Sequence, residues 1–148
     1  MKAVLQRVSR ASVRVDGRIV GAIQSGWLVL LGVERGDGEP DVTWVAEKVV
    51  HLRAFPDAEG KMNRDVTEAG GSVLVVSQFT LLGDCRKGRR PGFSDAADPA
   101  DAERLYLQVA DAIRRMGVET ATGTFRAHMD VELVNDGPVT FLLDSRKT

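Results

Sequence analysis

The sequence predicts an α+β domain in which two helices lie on one side of a large mixed sheet, itself curled or doubled. Three observations predict it. Two segments with helical apolar stripes each come after a continuously apolar run of strand length. An Asp-Gly hairpin signal stands between two strand-like segments near the start of the chain. Three more strand-like segments close the sequence, giving the order ββ(βα)(βα)βββ.

Taken in order, Val13 and Val15 alternate with Ser12, Arg14 and Asp16. Asp16-Gly17 then supplies the turn into Arg18-Ile19-Val20-Gly21-Ala22-Ile23. Trp27 to Val33 is apolar throughout and predicts a central strand buried on both faces. Pro40 is suited to the first turn of a helix whose stripe is Val42, Val45, Val49 and Leu52, ending before Phe55-Pro56-Asp57. Gly70-Gly71 precedes a second buried strand, Ser72 to Val76. A loop rich in Gly and Arg covers about Gly83 to Asp98. Asp98-Pro99 then starts a helix, with Asp as N-cap and Asp101 and Glu103 suiting the helix dipole. Leu105, Val109, Ala112, Ile113 and Met116 form its buried face, and Gly117 ends it. Strands follow near 118–125, 129–135 and 139–144, the last two joined by Asn135-Asp136-Gly137-Pro138.

No linker, repeat or low-complexity stretch divides residues 1–148, so one domain is expected. Twenty Lys+Arg against twenty-one Asp+Glu give a net charge of −1, which excludes a polycationic nucleic-acid coat. A local basic site remains open, because a total near zero hides an uneven distribution. The single cysteine, Cys85, has no partner within the chain, and no Cys/His spacing suggests zinc. With no signal peptide or membrane span visible, a cytoplasmic location is expected.

Motifs for metalloprotease, serine-hydrolase and dinucleotide sites are absent. Gly83 to Arg89 has the glycine spacing of a phosphate loop, yet Arg89 and Arg90 stand where Lys and Ser/Thr are required. His51 reads as a surface or helix-C-terminal residue, His128 as a residue between strands, neither with catalytic partners that the sequence shows, and Cys85 as a passive loop thiol. Three features remain. Ser77-Gln78-Phe79-Thr80-Leu81 follows a buried strand, where Thr80 is a candidate nucleophile and N–H groups around Phe79 are candidate oxyanion donors. On chemistry alone, capping of the strand end by Ser77 and Thr80 is the simpler reading. Arg86, Lys87, Arg89 and Arg90 place four cations in five positions beside Phe93, which suits phosphate and base contacts as well as it suits a solvated loop. In Asn135-Asp136-Gly137-Pro138, Pro138 withholds a ladder N–H and Gly-Pro is a bond that can be cis. Its carbonyls suit a ligand ammonium group; a plain turn is the alternative.

Together, Ser77–Leu81 and Asn135-Asp136-Gly137-Pro138-Val139-Thr140 resemble the two signature motifs of the D-aminoacyl-tRNA deacylases. The resemblance spans nearly the whole chain, including Gln6-Arg7-Val8, Asp57 to Asn63, Gly70 to Val76, and the basic loop Lys87 to Phe93. It implies a three-layer β/β/α fold, with mixed sheets curled into a barrel-like core and two main helices on one side. It also implies an obligate homodimer with active sites at the interface, acting on the 3′ end of aminoacyl-tRNA without cofactor or metal.

By the same resemblance, Gly137-Pro138 is cis and reaches into the neighbouring subunit, where its carbonyls face the substrate amino group and exclude L side chains. Glycine, having no side chain to exclude, should pass. Ser77, Gln78, Phe79 and Thr80 resemble the catalytic pocket. Phe125 and Met129 match positions that hold adenine, and Arg7 resembles the brace of the Gly-Pro segment. Arg86, Lys87, Arg89 and Arg90 match the tRNA-binding loop. Phe125-Arg126-Ala127-His128-Met129 departs from the family's frequent Phe-Gly-Ala-Asp-Met, and Arg126 could add a phosphate contact. Two other readings stand beside this one: a non-catalytic nucleic-acid-binding dimer, and a threonine esterase acting on a small metabolite.

Overall fold

The computed structural model describes residues 1–148. Its centre is set by the two apolar runs. β3 (Gly26–Gly32) and β6 (Ser72–Ser77) lie parallel within a six-stranded mixed sheet. Both are covered on two faces, which is why neither shows alternation in the sequence. Trp27, Val29, Leu31, Val73 and Val75 face one core, whereas Leu28, Leu74 and Val76 face another.

The first core is roofed by α1 (Glu39–His51) and α2 (Pro99–Arg115). α1 buries Val42, Val45, Ala46, Val49 and Val50, and the Asp41 carboxylate accepts from the Gly38 N–H at 2.9 Å. Leu52, expected on the stripe, is the C-cap of α1 with extended backbone and packs, partly buried, against the same core. Asp98 caps α2 by accepting from Asp101 N–H, with Pro99 as first residue, as the sequence predicts.

The second core lies inside the curl of the sheet, and β1 (Lys2–Val15) produces that curl. Residues 2–8 pair with β3, while residues 11–15 pair with β2 (Arg18–Ile23). Between these halves the register slips around Val8 and Arg10. Ala3 and Leu5 therefore face the helices, whereas Val8, Ala11 and Val13 face the curl. Asp16 and Gly17 both have positive φ, as the two-residue turn requires. β2 is thereby carried over against β7 (Thr120–Thr122), so closely that a Cβ on Gly21 would collide with the Thr122 carbonyl. The result is the nearly closed, barrel-like α+β arrangement expected.

Two expectations are corrected. The segment near 118–125 supplies only the three-residue β7. The segments near 129–135 and 139–144 form one strand, β8 (Asp130–Asp144). Both of its halves pair antiparallel with β1: Asp144–Thr140 with Lys2–Gln6, and Asn135–Asp130 with Val8–Arg14. The chain never reverses, so Asp136-Gly137-Pro138 is a bulge on a continuous strand, with its extra residues pushed out of the ladder. A small hairpin, β4 (Phe55–Pro56) with β5 (Met62–Arg64), was not expected. It closes around Asp57, whose carboxylate accepts from the Glu59 and Lys61 N–H groups and from Asn63 Nδ2.

Candidate active site

The carboxyl end of β6 builds the first half of the site. Gln78 N–H donates to the Leu31 carbonyl at 2.7 Å, and the chain turns into a single 3-10 turn, Phe79–Leu82. Gly32 makes this possible: a Cβ there would meet Leu82 and the Gln78 carbonyl. The first bond of the turn runs from Leu81 N–H to Gln78 O at 3.2 Å, so the N–H groups of Phe79 and Thr80 have no partner within it. Gln78 Nε2 donates to Thr80 Oγ1. Phe79 is 55% exposed and meets Phe93 edge-on, with ring centroids 5.1 Å apart.

A cavity of about 520 Å³ opens beside this turn. Ser77, Gln78 and Phe79 line one side, Phe125 to Met129 the other, and Val33, Val76, Ala97 and Ala102 supply apolar wall. Phe125 stacks on Tyr106, with centroids 6.0 Å apart and planes at 25°. Burial pushes the Tyr106 phenol above its ordinary pKa, and its hydroxyl faces the Gly123 carbonyl at 3.4 Å. Met129 lies so close to Gly123 that a Cβ there would stand 2.7 Å from its Sδ. The structure thus brings together five of the predicted residues: Ser77, Gln78, Phe79, Phe125 and Met129. Thr80 is next in the chain but does not line the cavity.

The Gly-Pro bulge is elsewhere. The Gly137–Pro138 bond is cis, and Gly137 has φ +132°, a backbone conformation that favours glycine. Arg7, only 8% exposed, donates from Nη1 to the Ala54 carbonyl at 2.7 Å. Its Nε is 3.3 Å from Asp136 Oδ2 but lacks the alignment of a hydrogen bond, so that contact is one of charge. Asn135 Nδ2 donates to the carbonyls of Arg7 at 2.9 Å and Val139 at 3.2 Å. The bulge is therefore held at both ends while Asp136, Gly137 and Pro138 remain exposed. On β3, Gly32 under the 3-10 turn pairs with Lys2, whereas Trp27 pairs with Arg7. Five residues of strand put about 17 Å between these levels. Within one chain, Arg7, Gly137 and Pro138 do not meet the cavity.

The basic loop leaves from the same 3-10 turn. Asp84 and Gly92 exchange two backbone hydrogen bonds, at 2.7 and 2.9 Å, which pinch residues 85–91 into a projecting loop. Arg86 is folded back onto Asp84 through two bonds of 2.8 Å. Those bonds, with the Arg86 N–H, hold the Asp84 carboxyl well below the usual carboxylate range. Lys87, Arg89 and Arg90 stay exposed. His51 ends α1 near Asp65, in keeping with a surface reading, and His128 is solvent-exposed. No three His, Cys, Asp or Glu side chains gather in a metal-binding cluster.

Sequence reasoning missed Tyr106, Asn135 and Asp84. Tyr106 was detectable, since it lies four residues after Ala102 and three before Val109 on the buried face of α2. Asn135 stands in a stretch whose sequence reads as a turn, and its bracing role depends on a cross-strand neighbour. Asp84 two residues before Arg86 carried only a weak local signal.

The D-Tyr-tRNA(Tyr) deacylase family model matches residues 4–144. A D-aminoacyl-tRNA deacylase of Anaeromyxobacter dehalogenans is 63% identical over 99% of both chains. One of Geobacter metallireducens is 60% identical over 99% of this chain and 97% of its own. Among solved structures, a protein described as "c-Myc DNA Unwinding Element Binding Protein" aligns with TM-score 0.92 at 39% identity, covering 97% of this chain and 98% of that one. A probable eukaryotic D-amino acid tRNA deacylase, at 17% identity, shares the fold with TM-score 0.79, covering 96% of this chain and 97% of its own. A cavity at the strand end with a matching motif on its rim, and agreement over the full chain, lead to one conclusion: the chain belongs to the D-Tyr-tRNA(Tyr) deacylase family, a family of hydrolases.

Proposed function

We propose that the protein hydrolyses the ester linking a D-amino acid to the 3′-terminal adenosine of tRNA, releasing the free amino acid and tRNA. The observation that carries this reading is the cavity at the end of β6, apolar inside and lined by Phe79, beside a turn in which the Phe79 and Thr80 N–H groups have no partner. Adenine fills the space between Phe125 and Met129. The ester carbonyl lies at the 3-10 turn, where those N–H groups stabilise the developing oxyanion. Thr80 positions the substrate, its hydroxyl already engaged by Gln78 and with no base beside it. An aminoacyl ester is activated, so orientation of water and substrate supplies most of the required acceleration.

In the same reading two copies pair, and the Gly137-Pro138 bulge of one meets the cavity of the other. Its carbonyls take the substrate amino group, and its backbone blocks an L side chain while a D side chain points outward. Glycine is also accepted, including glycine mischarged on tRNA-Ala. Leu142, 79% exposed beside a hollow lined by Val4, Trp44 and Leu81, supports a paired surface. Lys87, Arg89 and Arg90 hold tRNA phosphates, while Arg86 chiefly shapes the loop by clasping Asp84. No helix is long and apolar enough to cross a membrane, and the protein acts in the cytoplasm, where aminoacyl-tRNA is found. Incubation with D-tyrosyl-tRNA and L-tyrosyl-tRNA tests the proposal: hydrolysis of the D form only is expected, and equal rates refute it.

One observation favours a second reading. The relative described as a DNA-unwinding-element-binding protein is 39% identical, and the exposed Phe79–Phe93 pair beside three free cations suits single-stranded nucleic acid. Single-strand binding by a preparation that hydrolyses no D-aminoacyl-tRNA would favour it.

A further inference from the structure

We propose that Arg126 binds the 5′-phosphate of the terminal nucleotide, so that the cavity reads a nucleoside monophosphate. This rests on the placement of adenosine proposed above.

The cavity has only two ionisable residues on its lining, Arg126 and His128, and both are basic. No carboxylate shares the lining. An apolar chamber with basic side chains and no carboxylate on its lining suits a planar apolar group that carries an anionic tail. Of the two, His128 is offset by Asp130, 3.7 Å from its Nε2, and its side chain is 95% exposed. The unopposed charge is therefore that of Arg126, which takes part in none of the ion pairs of the fold.

The backbone adds an independent observation. Arg126 has φ +65°, in the left-handed region where glycine sits without strain and an arginine does not. It occupies the turn closed by Ala127 N–H to the Thr124 carbonyl at 3.2 Å. A strained residue whose side chain stabilises nothing within the fold points to a role outside it. Its neighbour Phe125 is seated on Tyr106, so the turn is fixed relative to the ring that adenine would touch. Guanidinium is also the group best matched to a phosphate, through paired N–H donors.

The test uses two uncleavable analogues, a D-aminoacyl group in amide linkage to 3′-amino-3′-deoxyadenosine, with and without a 5′-phosphate. Inhibition constants are measured for the parent protein, Arg126→Gly, Arg126→Gln, and Arg104→Ala as a control on the exposed face of α2. The parent is expected to bind the phosphorylated analogue about ten-fold more tightly, the scale of one charge-assisted contact. In both Arg126 variants that preference falls to less than about two-fold, while Arg104→Ala retains it. Arg126→Gly should melt no lower than the parent, because glycine relieves the positive φ. A phosphate preference that survives both substitutions, or a parent that binds the analogues equally, overturns the proposal. A parent that binds neither analogue overturns the adenosine placement and this proposal with it.

Discussion

Replacing Arg7 with Met removes the guanidinium but keeps most of the aliphatic stem, so the loss it causes can be worked from three contacts. The first is the bond from Nη1 to the Ala54 carbonyl, whose residue is 1% exposed. Without a donor, that carbonyl is left in the core, at about 1–3 kcal/mol. The second is the charge contact with Asp136, whose side chain is 51% exposed, so its loss costs under about 1 kcal/mol. The third, Asn135 to the Arg7 carbonyl, is made to backbone and survives. The sum is about 1–4 kcal/mol, or a fall of about 2–16 °C in melting temperature for a chain of this size. Urea unfolding at fixed protein concentration is the assay, with Asp136→Asn as the partner variant, expected within about 1 kcal/mol of the parent. A loss for Arg7→Met below about 0.5 kcal/mol would show that water reaches Ala54 and that Arg7 braces nothing.

Gly26→Ala should cost more than about 3 kcal/mol or give insoluble protein, since φ is +151° and a Cβ would collide with the Ser72 backbone; solubility and urea midpoint decide it. Asp41 carries a pH prediction. Burial pushes its carboxyl up, but bonds from the Ser145 hydroxyl and Gly38 N–H, with nearby positive charge that includes Arg146, hold it below the ordinary value. Its contribution is therefore complete above about pH 4 and is lost as pH falls through the lowered value, so Asp41→Asn should flatten part of the acid-side decline in urea midpoint. Leu142→Asp should leave a folded chain by circular dichroism, yet halve the mass in light scattering and remove most deacylation if the proposed pairing holds. Unchanged mass and activity would count against that pairing.

The parts of the fold legible in the sequence were those with a local physical cause. The Asp16-Gly17 turn, the Asp98 cap and the two doubly buried strands each follow from residues adjacent in the chain. What escaped depends on partners far away. The Asn135–Pro138 stretch carries the Asp-Gly mark of a hairpin turn, with only Pro138 against it, and the pairing of both flanking halves with β1 makes it a bulge. The change of face between Leu5 and Ala11 has the same origin, a register slip that no local pattern announces. In the site, Ser77 to Thr80 could be placed at a strand end from the apolar run before them. That Arg86 is tied to Asp84, leaving three free cations, needed side-chain geometry.

The separation of the two motifs bears on how a site could be completed. The 3-10 turn is fixed to the end of β3 by Gly32 and the Leu31 carbonyl, and the bulge is fixed to β1 by Arg7 and Asn135. β1 and β3 are bonded to each other over the whole interval between those attachments, from Lys2–Gly32 to Val8–Gly26. Nothing in that ladder can hinge without breaking interstrand bonds inside two cores, so the roughly 17 Å between the levels cannot be closed by internal motion. Either the motifs act independently, or a second copy brings one to the other. β8 favours the second alternative on physical grounds, because its fifteen residues pair along one edge only and present Val134 and Leu142 to solvent. A strand that leaves an unpaired edge and carries a rigidly braced bulge has the form of an element built to meet a partner. The proposed two-fold pairing would cover that edge and deliver Gly137-Pro138 to a cavity that a single chain leaves open.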